Sequence, residues 1–324
     1  MSSFIGIDGG GSITRAVMTD RDGNCLAAVS GPAANIQHVT IETLEKILLS
    51  LVTRLQDQSK TGDAPVQYIV AGFAGAGWPV EQKKVESVFN KLGFLENCYI
   101  CSDIEIASEG ALVDAPGVVL SVGTGSIAFG RDRDGEVVRA GGWGYLLGDE
   151  GSGYWIGLQA ISRSLQSYDA AVPNTALSNI ICQAFELNSI PEIVPLVYSE
   201  KVNREAIAAL APAVFDAARN KDAAALSILH EAADLLAVLV KTILKRHTIE
   251  SPAALCLTGG IFEQRDILLP ALLEHLRDEV ILQEPRMIPA AGAVLMALRE
   301  CNMTVNDHII GNLSKVTLTG RVSQ

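Results

Sequence analysis

The sequence predicts an α/β protein with a duplicated architecture, on three observations. Short apolar runs ending in glycine or a carboxylate alternate with amphipathic helical stretches, the pattern of sheets covered by helices. A glycine-tipped hairpin near the start returns 114 residues later: Gly9-Gly-Gly-Ser-Ile13 matches Gly123-Thr-Gly-Ser-Ile127, and Arg21-Asp-Gly23 matches Arg133-Asp-Gly135. With 324 residues, 48% of them hydrophobic, the chain has enough material for two cores. Aromatics supply only 5%, so those cores are expected to be aliphatic.

In chain order, Phe4 to Asp8 reads as a short buried strand ending in a carboxylate. Gly9, Gly10, Gly11 and Ser12 form the tip of a hairpin whose second strand includes Ala16 to Met18 and whose next turn is Asp20 to Gly23. Exposed backbone N–H groups at such a tip make an anion-binding concavity, and Ser12 and Thr14 add donors. Asp8 is placed to hold Mg²⁺, directly or through water. Gly31 to Asn35 is a loop, and Thr43 to Gln58 carries apolar residues at helical spacing. Gln67 to Ala71 is a strand; Pro79 starts a helix that Gly93 ends. Tyr99 to Ser102 is a strand closed by Asp103, with a helix from Ile104 to Val113. On local sequence Asp103 has two readings, a catalytic carboxylate at a strand-to-helix junction or a cap for the following helix.

The second hairpin follows, with Val118 to Val122 as strand, Gly123, Thr124, Gly125 and Ser126 as tip, and a return strand through Phe129 to the turn at Asp132. Two such loops facing each other would hold a polyphosphate. Gly141 to Trp155 then packs six glycines, two tryptophans, Asp149 and Glu150 into fifteen residues, a poor strand and a poor helix. Its glycines let backbone approach a ligand closely, and its acids offer acceptors to hydroxyl groups. Tyr154 to Leu165 is expected to be a helix, as are Asn203 to Arg219 and Asp222 to His247. Ala253 to Leu257 is a strand, and Gly259-Gly260 leads into a helix from Ile261, a junction able to lie against an adenine or ribose. Pro289 to Leu298 is a small-residue helix suited to close packing, and 302–324 is a polar tail.

Several classes are excluded. A net charge of −12 without a basic run argues against nucleic acid or an anionic membrane as partner. The start has no cationic leader with an apolar run, and Leu226 to Leu244 is broken by His230, Glu231, Asp234 and Lys241, so a cytoplasmic protein is expected. Six scattered cysteines read as reduced and buried; Cys98-Tyr-Ile-Cys101 has redox spacing but no second pair. His230-Glu231-Ala-Ala-Asp234 lacks the second histidine of a zinc site. No P-loop, dinucleotide fingerprint or nucleophile elbow occurs.

Taken together, Ile7-Asp8-Gly-Gly-Gly-Ser12, Ser102-Asp103, Ser121 to Ser126, Gly141-Gly-Trp-Gly144 through Gly148 to Trp155, and Leu257-Thr-Gly-Gly260 resemble the N-acetylglucosamine kinase/BadF-BadG-BcrA-BcrD ATPase family of the sugar kinase–Hsp70–actin superfamily. The resemblance runs in order to about residue 300. It implies two actin-like (ribonuclease H-like) lobes around a cleft that takes ATP, Mg²⁺ and a small amino sugar. The N-terminal lobe would span 1–115, completed by a helix at 289–301, and the C-terminal lobe 116–288. By matching motif, Asp8 would organise Mg²⁺, Gly9 to Ser12 and Gly123 to Ser126 would take phosphates, and Gly259 and Gly260 would border the adenosine. Asn35, Gly142, Trp143 and Asp149 would contact the sugar, and Asp103 would be the general base toward its 6-hydroxyl. Family members are often homodimers.

The expected activity is therefore ATP-dependent phosphorylation of an N-acetylated amino sugar, N-acetylglucosamine first, with N-acetylmuramate and glucosamine as neighbouring substrates. A BadF-type ATPase that activates a dehydratase or reductase is the alternative. It needs cluster-binding cysteines after the second phosphate loop, and none lies between Gly117 and Leu177. A sugar-sensing regulator is a third class, but Asp103 is present and no DNA-binding element is appended.

Overall fold

The computed structural model describes residues 2–11, 13–59, 65–134, 136–199, 201–246 and 249–317. The chain divides into two compact units, Met1–Ala115 with Glu284–Gln324, and Pro116–Gln283.

Unit 1 begins with β1 (Ser3–Gly9), β2 (Ile13–Thr19) and β3 (Cys25–Pro32), followed by α1 (Ile41–Ser59), β4 (Val66–Phe73), α2 (Pro79–Lys91), β5 (Cys98–Ser102) and α3 (Asp103–Leu112). The sheet order is β3-β2-β1-β4-β5, with β1, β4 and β5 parallel and β2 and β3 antiparallel. All seven residues of β1 are buried, as a central strand covered on both faces requires. Its alternation divides the core: Ile5 and Ile7 join Leu48 and Leu51 of α1 and Phe89 of α2, while Phe4 turns the other way to Ile106 of α3.

Unit 2 repeats the plan. Strands β6 (Gly117–Val122), β7 (Ser126–Arg131) and β8 (Val137–Gly141) form a meander. Helices α4 (Gly153–Tyr168), α5 (Leu177–Ala184), α6 (Ile193–Tyr198), α7 (Arg204–Ala208), α8 (Ala211–Arg219) and α9 (Ala223–Arg246) come next. They lead to β9 (Ala253–Thr258), α10 (Arg265–Leu276) and β10 (Val280–Gln283). The order β8-β7-β6-β9-β10 is that of unit 1, again with three parallel strands. The turns after the two first hairpins match bond for bond. The Asp20 carboxylate accepts the amides of Asp22 and Asn24, each at 2.9 Å, and the Asp132 carboxylate accepts those of Asp134 and Glu136 at 3.0 and 2.9 Å.

The chain returns to unit 1 as α11 (Pro289–Glu300) and α12 (Asp307–Leu313). Gly292 lets α11 lie on α3: a Cβ there would sit 2.6 Å from the Gly110 amide nitrogen. Arg299 of α11 pairs with the buried Glu109 of α3 and, at 2.7 Å, with Asp114.

The structure corrects several expectations. Residues 203–219 form two helices, because Pro212 has no N–H to donate and its ring displaces the preceding turn. Ile261 does not start a long helix; a 3₁₀ turn at Gly260–Gln264 precedes α10. Unit 2 ends at Gln283 rather than at 288. Part of the stretch read as a polar tail is α12, whose Ile309, Ile310 and Leu313 are buried in unit 1. By length and hydropathy α9 could cross a membrane, but Leu229, Leu236, Val240 and other residues on it lie in the unit 2 core. Two of its polar residues have partners: Glu231 with Arg163 at 2.8 Å and Asp234 with His275 at 2.5 Å. Cys98 and Cys101 pack into cores on opposite faces of the unit 1 sheet, so their spacing makes no redox pair, and all six cysteines are free.

Candidate active site

Parallel strands end together, so the register of unit 1 decides which sequence motifs meet. Asp8 lies opposite Gly72, and Phe73 opposite Ser102. Asp8, the Phe73-Ala74 end of β4 and Asp103 therefore share one edge of the sheet, the carboxyl edge at which open α/β sheets place ligands. The Ala74 amide donates to the Gly9 carbonyl at 2.8 Å, and the Ile36 amide to the Ala74 carbonyl at 3.1 Å. The Ala34 amide bonds the Gly10 carbonyl at 3.1 Å, which hangs the loop carrying Asn35 on the same edge.

Asp103 is the first residue of α3 and is not its cap. Ser102 holds that position, and Glu105 reaches back to accept the Ser102 amide at 3.1 Å and its hydroxyl at 2.8 Å. Asp103 is therefore not the N-cap, although its carboxylate accepts the amides of Ile104 and Asp103 at the start of the helix. Burial pushes its pKa up to about 6, opposed by the amides of Ile104 and Asp103 itself. Asp8 is also pushed up to about 6, by burial first and then by the nearby Asp103 charge, while Arg15 pulls the other way. Arg15 faces Asp8 across the hairpin at 3.6 Å. Sequence reading missed Arg15; the β1–β2 register, readable once the hairpin is drawn, would have found it.

Asn35 bends its own loop, its Oδ1 accepting the Gln37 amide at 3.0 Å. The Asn35 Nδ2 donates to no described residue.

In unit 2, the amides of Gly153 and Tyr154 at the start of α4 donate to the carbonyls of Gly123 and Thr124 at 2.8 and 3.2 Å. The central loop is thereby locked to the second hairpin tip, with Ser126 Oγ donating to the Glu150 carbonyl at 2.7 Å. Asp149 is 4% exposed and turned inward. Its carboxylate accepts the Ser126 amide at 3.4 Å and lies 3.9 Å from Arg204, and burial raises its pKa against those two partners. Asp149 therefore acts on the loop from inside it. Arg204 had no signal in the sequence because Asp149 lies fifty-five positions away, and Arg139, 4.3 Å over the half-exposed Trp143 ring four positions on, was missed as well.

The glycines sort by cause. A Cβ on Gly9 would strike the Phe73 ring at 2.1 Å, one on Gly125 would meet Asp149 at 2.7 Å, and one on Gly142 would meet Ile127 at 2.4 Å. Gly259 has φ +94 and would put a Cβ 2.3 Å from the Val122 carbonyl. These four are glycine for the fold. Gly11, Gly123 and Gly260 are not: none has a positive φ, and a Cβ on any would meet nothing within 4 Å. Ser12 lies outside the described residues.

Mg²⁺ is held by one or two carboxylates, water and substrate phosphates rather than by an all-protein cage. The pair at the unit 1 edge fits that pattern, and no cluster of three or more metal-ligating side chains occurs among the described residues.

Two lobes with the same strand order and glycine-tipped first hairpins define the actin-like α/β class. Residues 5–297 match the BadF/BadG/BcrA/BcrD ATPase family, and the chain belongs to it. The N-acetylmuramic acid/N-acetylglucosamine kinase of Clostridium acetobutylicum is 31% identical over 308 residues, covering 93% of this chain and all of that one. The N-acetyl-D-glucosamine kinase of Dictyostelium discoideum is 33% identical over 91% of this chain and 97% of its own. A solved Chromobacterium violaceum structure, provisionally named an N-acetylglucosamine kinase, superimposes with a TM-score of 0.75 at 25% identity, covering 91% of this chain and 98% of its own.

Proposed function

We propose that this protein transfers the γ-phosphoryl group of ATP to the 6-hydroxyl of an N-acetylated amino sugar, N-acetylglucosamine first. The observation that carries the reading is Asp103, a carboxylate at a strand-to-helix junction, not itself the helix cap and raised toward neutrality by burial. A base with pKa near 6 is ionised at neutral pH and still basic enough to share a hydroxyl proton in the transition state. The two amino-sugar kinases above, matched over nearly their whole length, support the same reaction class.

Asn35, Gly142 and Trp143 hold the sugar, with Asp149 keeping the Gly142–Trp143 segment in shape. Asp103 orients the 6-hydroxyl and takes its proton as the oxygen attacks the γ-phosphorus and the bond to the departing ADP oxygen breaks. The tips Gly9 to Ser12 and Gly123 to Ser126 take the phosphates, the amides of Gly10, Gly123 and Ser126 being used to shape the tips through Ile13, Gly125 and Asp149, and Gly259 and Gly260 border the adenosine. Asp8 holds Mg²⁺, which neutralises phosphate charge when bound. Six free cysteines suit a reducing, cytoplasmic setting.

The test is a coupled ADP-release assay with ATP and Mg²⁺ against N-acetylglucosamine, N-acetylmuramate, glucosamine, N-acetylmannosamine and glucose. Turnover that depends on an N-acetylated amino sugar and collapses in Asp103→Asn supports the reading. Hydrolysis of ATP indifferent to every sugar would end it.

A further inference from the structure

Beside the Asn35 loop, unit 1 holds a cavity of about 330 Å³, within the size range of small-ligand sites. Val39 from the loop, Leu44 from α1 and Val85 from α2 give it an apolar wall, and Gln37 and Thr40 add polar atoms. Its one charged lining residue is Lys84, in the second turn of α2. Lys84 forms no ion pair with any described residue, in a chain with twelve more acids than bases. The same loop is bonded through Ile36 to Ala74, and Ala74 to Gly9, so the cavity lies one loop away from the edge that bears Asp8 and Asp103.

An apolar wall with a single cation and neighbouring hydrogen-bonding groups suits a short carboxylate-bearing substituent better than a neutral hydroxyl. A phosphate would call for several cationic or amide donors rather than one. We propose that this cavity is the subsite for the 3-O-lactyl group of N-acetylmuramate, with Lys84 as the residue that takes its carboxylate. The lactyl methyl packs on Val39 and Ile41, and the carboxylate meets the Lys84 ammonium. N-acetylglucosamine, lacking the ether, leaves the cavity to water. The assignment rests on the kinase reading and adds to it a specificity-determining residue, so that one protein serves both sugars.

The experiment compares kcat and KM for the two sugars in the unaltered protein, Lys84→Gln, Lys84→Glu and Lys84→Arg. Calorimetric titration of each sugar into protein without nucleotide runs alongside. Loss of one charge-assisted contact predicts that Lys84→Gln lowers the kcat/KM ratio of N-acetylmuramate to N-acetylglucosamine roughly tenfold. The change enters through KM; Lys84→Glu lowers the ratio further, and Lys84→Arg restores most of it. A ratio unchanged in Lys84→Gln overturns the assignment. So does an unaltered protein that phosphorylates N-acetylglucosamine but neither binds nor phosphorylates N-acetylmuramate, a result that leaves the kinase reading standing. If no sugar is turned over, the kinase reading fails by itself and calorimetry decides the subsite. N-acetylmuramate binding that is lost in Lys84→Glu supports it, and absence of binding refutes it.

Discussion

Replacing Asp103 with Asn separates its two possible roles, because they predict opposite changes in stability. The carboxyl is moved by burial from 3.8 to about 6. At about 1.36 kcal/mol per unit, ionising it in the folded state costs up to about 3 kcal/mol at neutral pH. Partial exposure of the side chain lowers that to about 1–2 kcal/mol. The sign follows from linkage: a raised carboxyl stabilises the fold below pH 3.8 and loses that contribution as pH rises through about 6. The neutral Asn variant should therefore unfold at a higher temperature than the parent at pH 7.5, with the gap closing toward pH 4. A residue that served only the helix terminus would instead lose stability on neutralisation. In the ADP-release assay the same variant should lose roughly 10²–10⁴-fold in kcat, the usual contribution of a positioned general base. In the parent, kcat/KM should rise with pH through about 6, an acid limb that Asp8 shares. A variant that keeps more than about a tenth of the activity would refute the base assignment. One that melts lower at pH 7.5 would refute the burial argument.

Three further outcomes test the reasoning about packing and ligand. Gly11→Ala should leave urea stability within about 0.5 kcal/mol, since its Cβ meets nothing, yet weaken ATP binding measured by calorimetry. Gly259→Ala should cost at least about 2 kcal/mol in urea unfolding, because its Cβ would sit 2.3 Å from the Val122 carbonyl at a φ of +94. Arg299→Met takes the cation away from the buried Glu109 carboxylate and should cost about 3 kcal/mol, with Glu109→Gln added to the same chain recovering much of it; equal losses in single and double variants would show that the pair is not the cause.

Much of the fold was legible because it is local. The strand ahead of each glycine tip, the helix from Thr43 and the junction at Asp103 each carry their own period or punctuation. Elements without a periodic apolar face were not. The edge strand β3 is a half-exposed Cys-Leu-Ala-Ala-Val-Ser-Gly-Pro run, and β10 has four residues. The site divides in the same way. Asp8 and Asp103 stand at strand ends and can be named from sequence, whereas Arg15 needs the hairpin register and Arg204 reaches Asp149 from fifty-five positions away. Asp149 shows the limit most clearly: its sequence context offers it as a sugar acceptor, and only the structure adds its burial and its bond from the Ser126 amide.

Under the proposed function, the duplicated frame lets one plan hold two kinds of group. Both first hairpins end in glycine tips on a strand buried at the centre of its sheet, but they are not copies at the tip. Gly10 to Ile13 lie between the paired Gly9 and Thr14, whereas only Gly123 to Gly125 lie between Val122 and Ser126. The shorter tip is fastened to α4 by two amide bonds and has no acid at its strand end, where Ser121 and Val122 stand. The one carboxylate packed against this tip, Asp149, is engaged by the Ser126 amide and Arg204, so the remaining amides favour an anion. In unit 1 the strand ends in Asp8, with Arg15 across the hairpin and Asp103 beside it, an arrangement that favours a cation shared with an anion. The helices inserted between third and fourth strands differ in the same sense: one in unit 1, and six in unit 2 among the described residues. Of those six, α4 and α7 brace the central loop, through the Gly153 and Tyr154 amides and through Arg204. Divergence at two hairpin tips and one connection is therefore enough to give one lobe the Asp8–Asp103 pair and the other its amide tip and central loop.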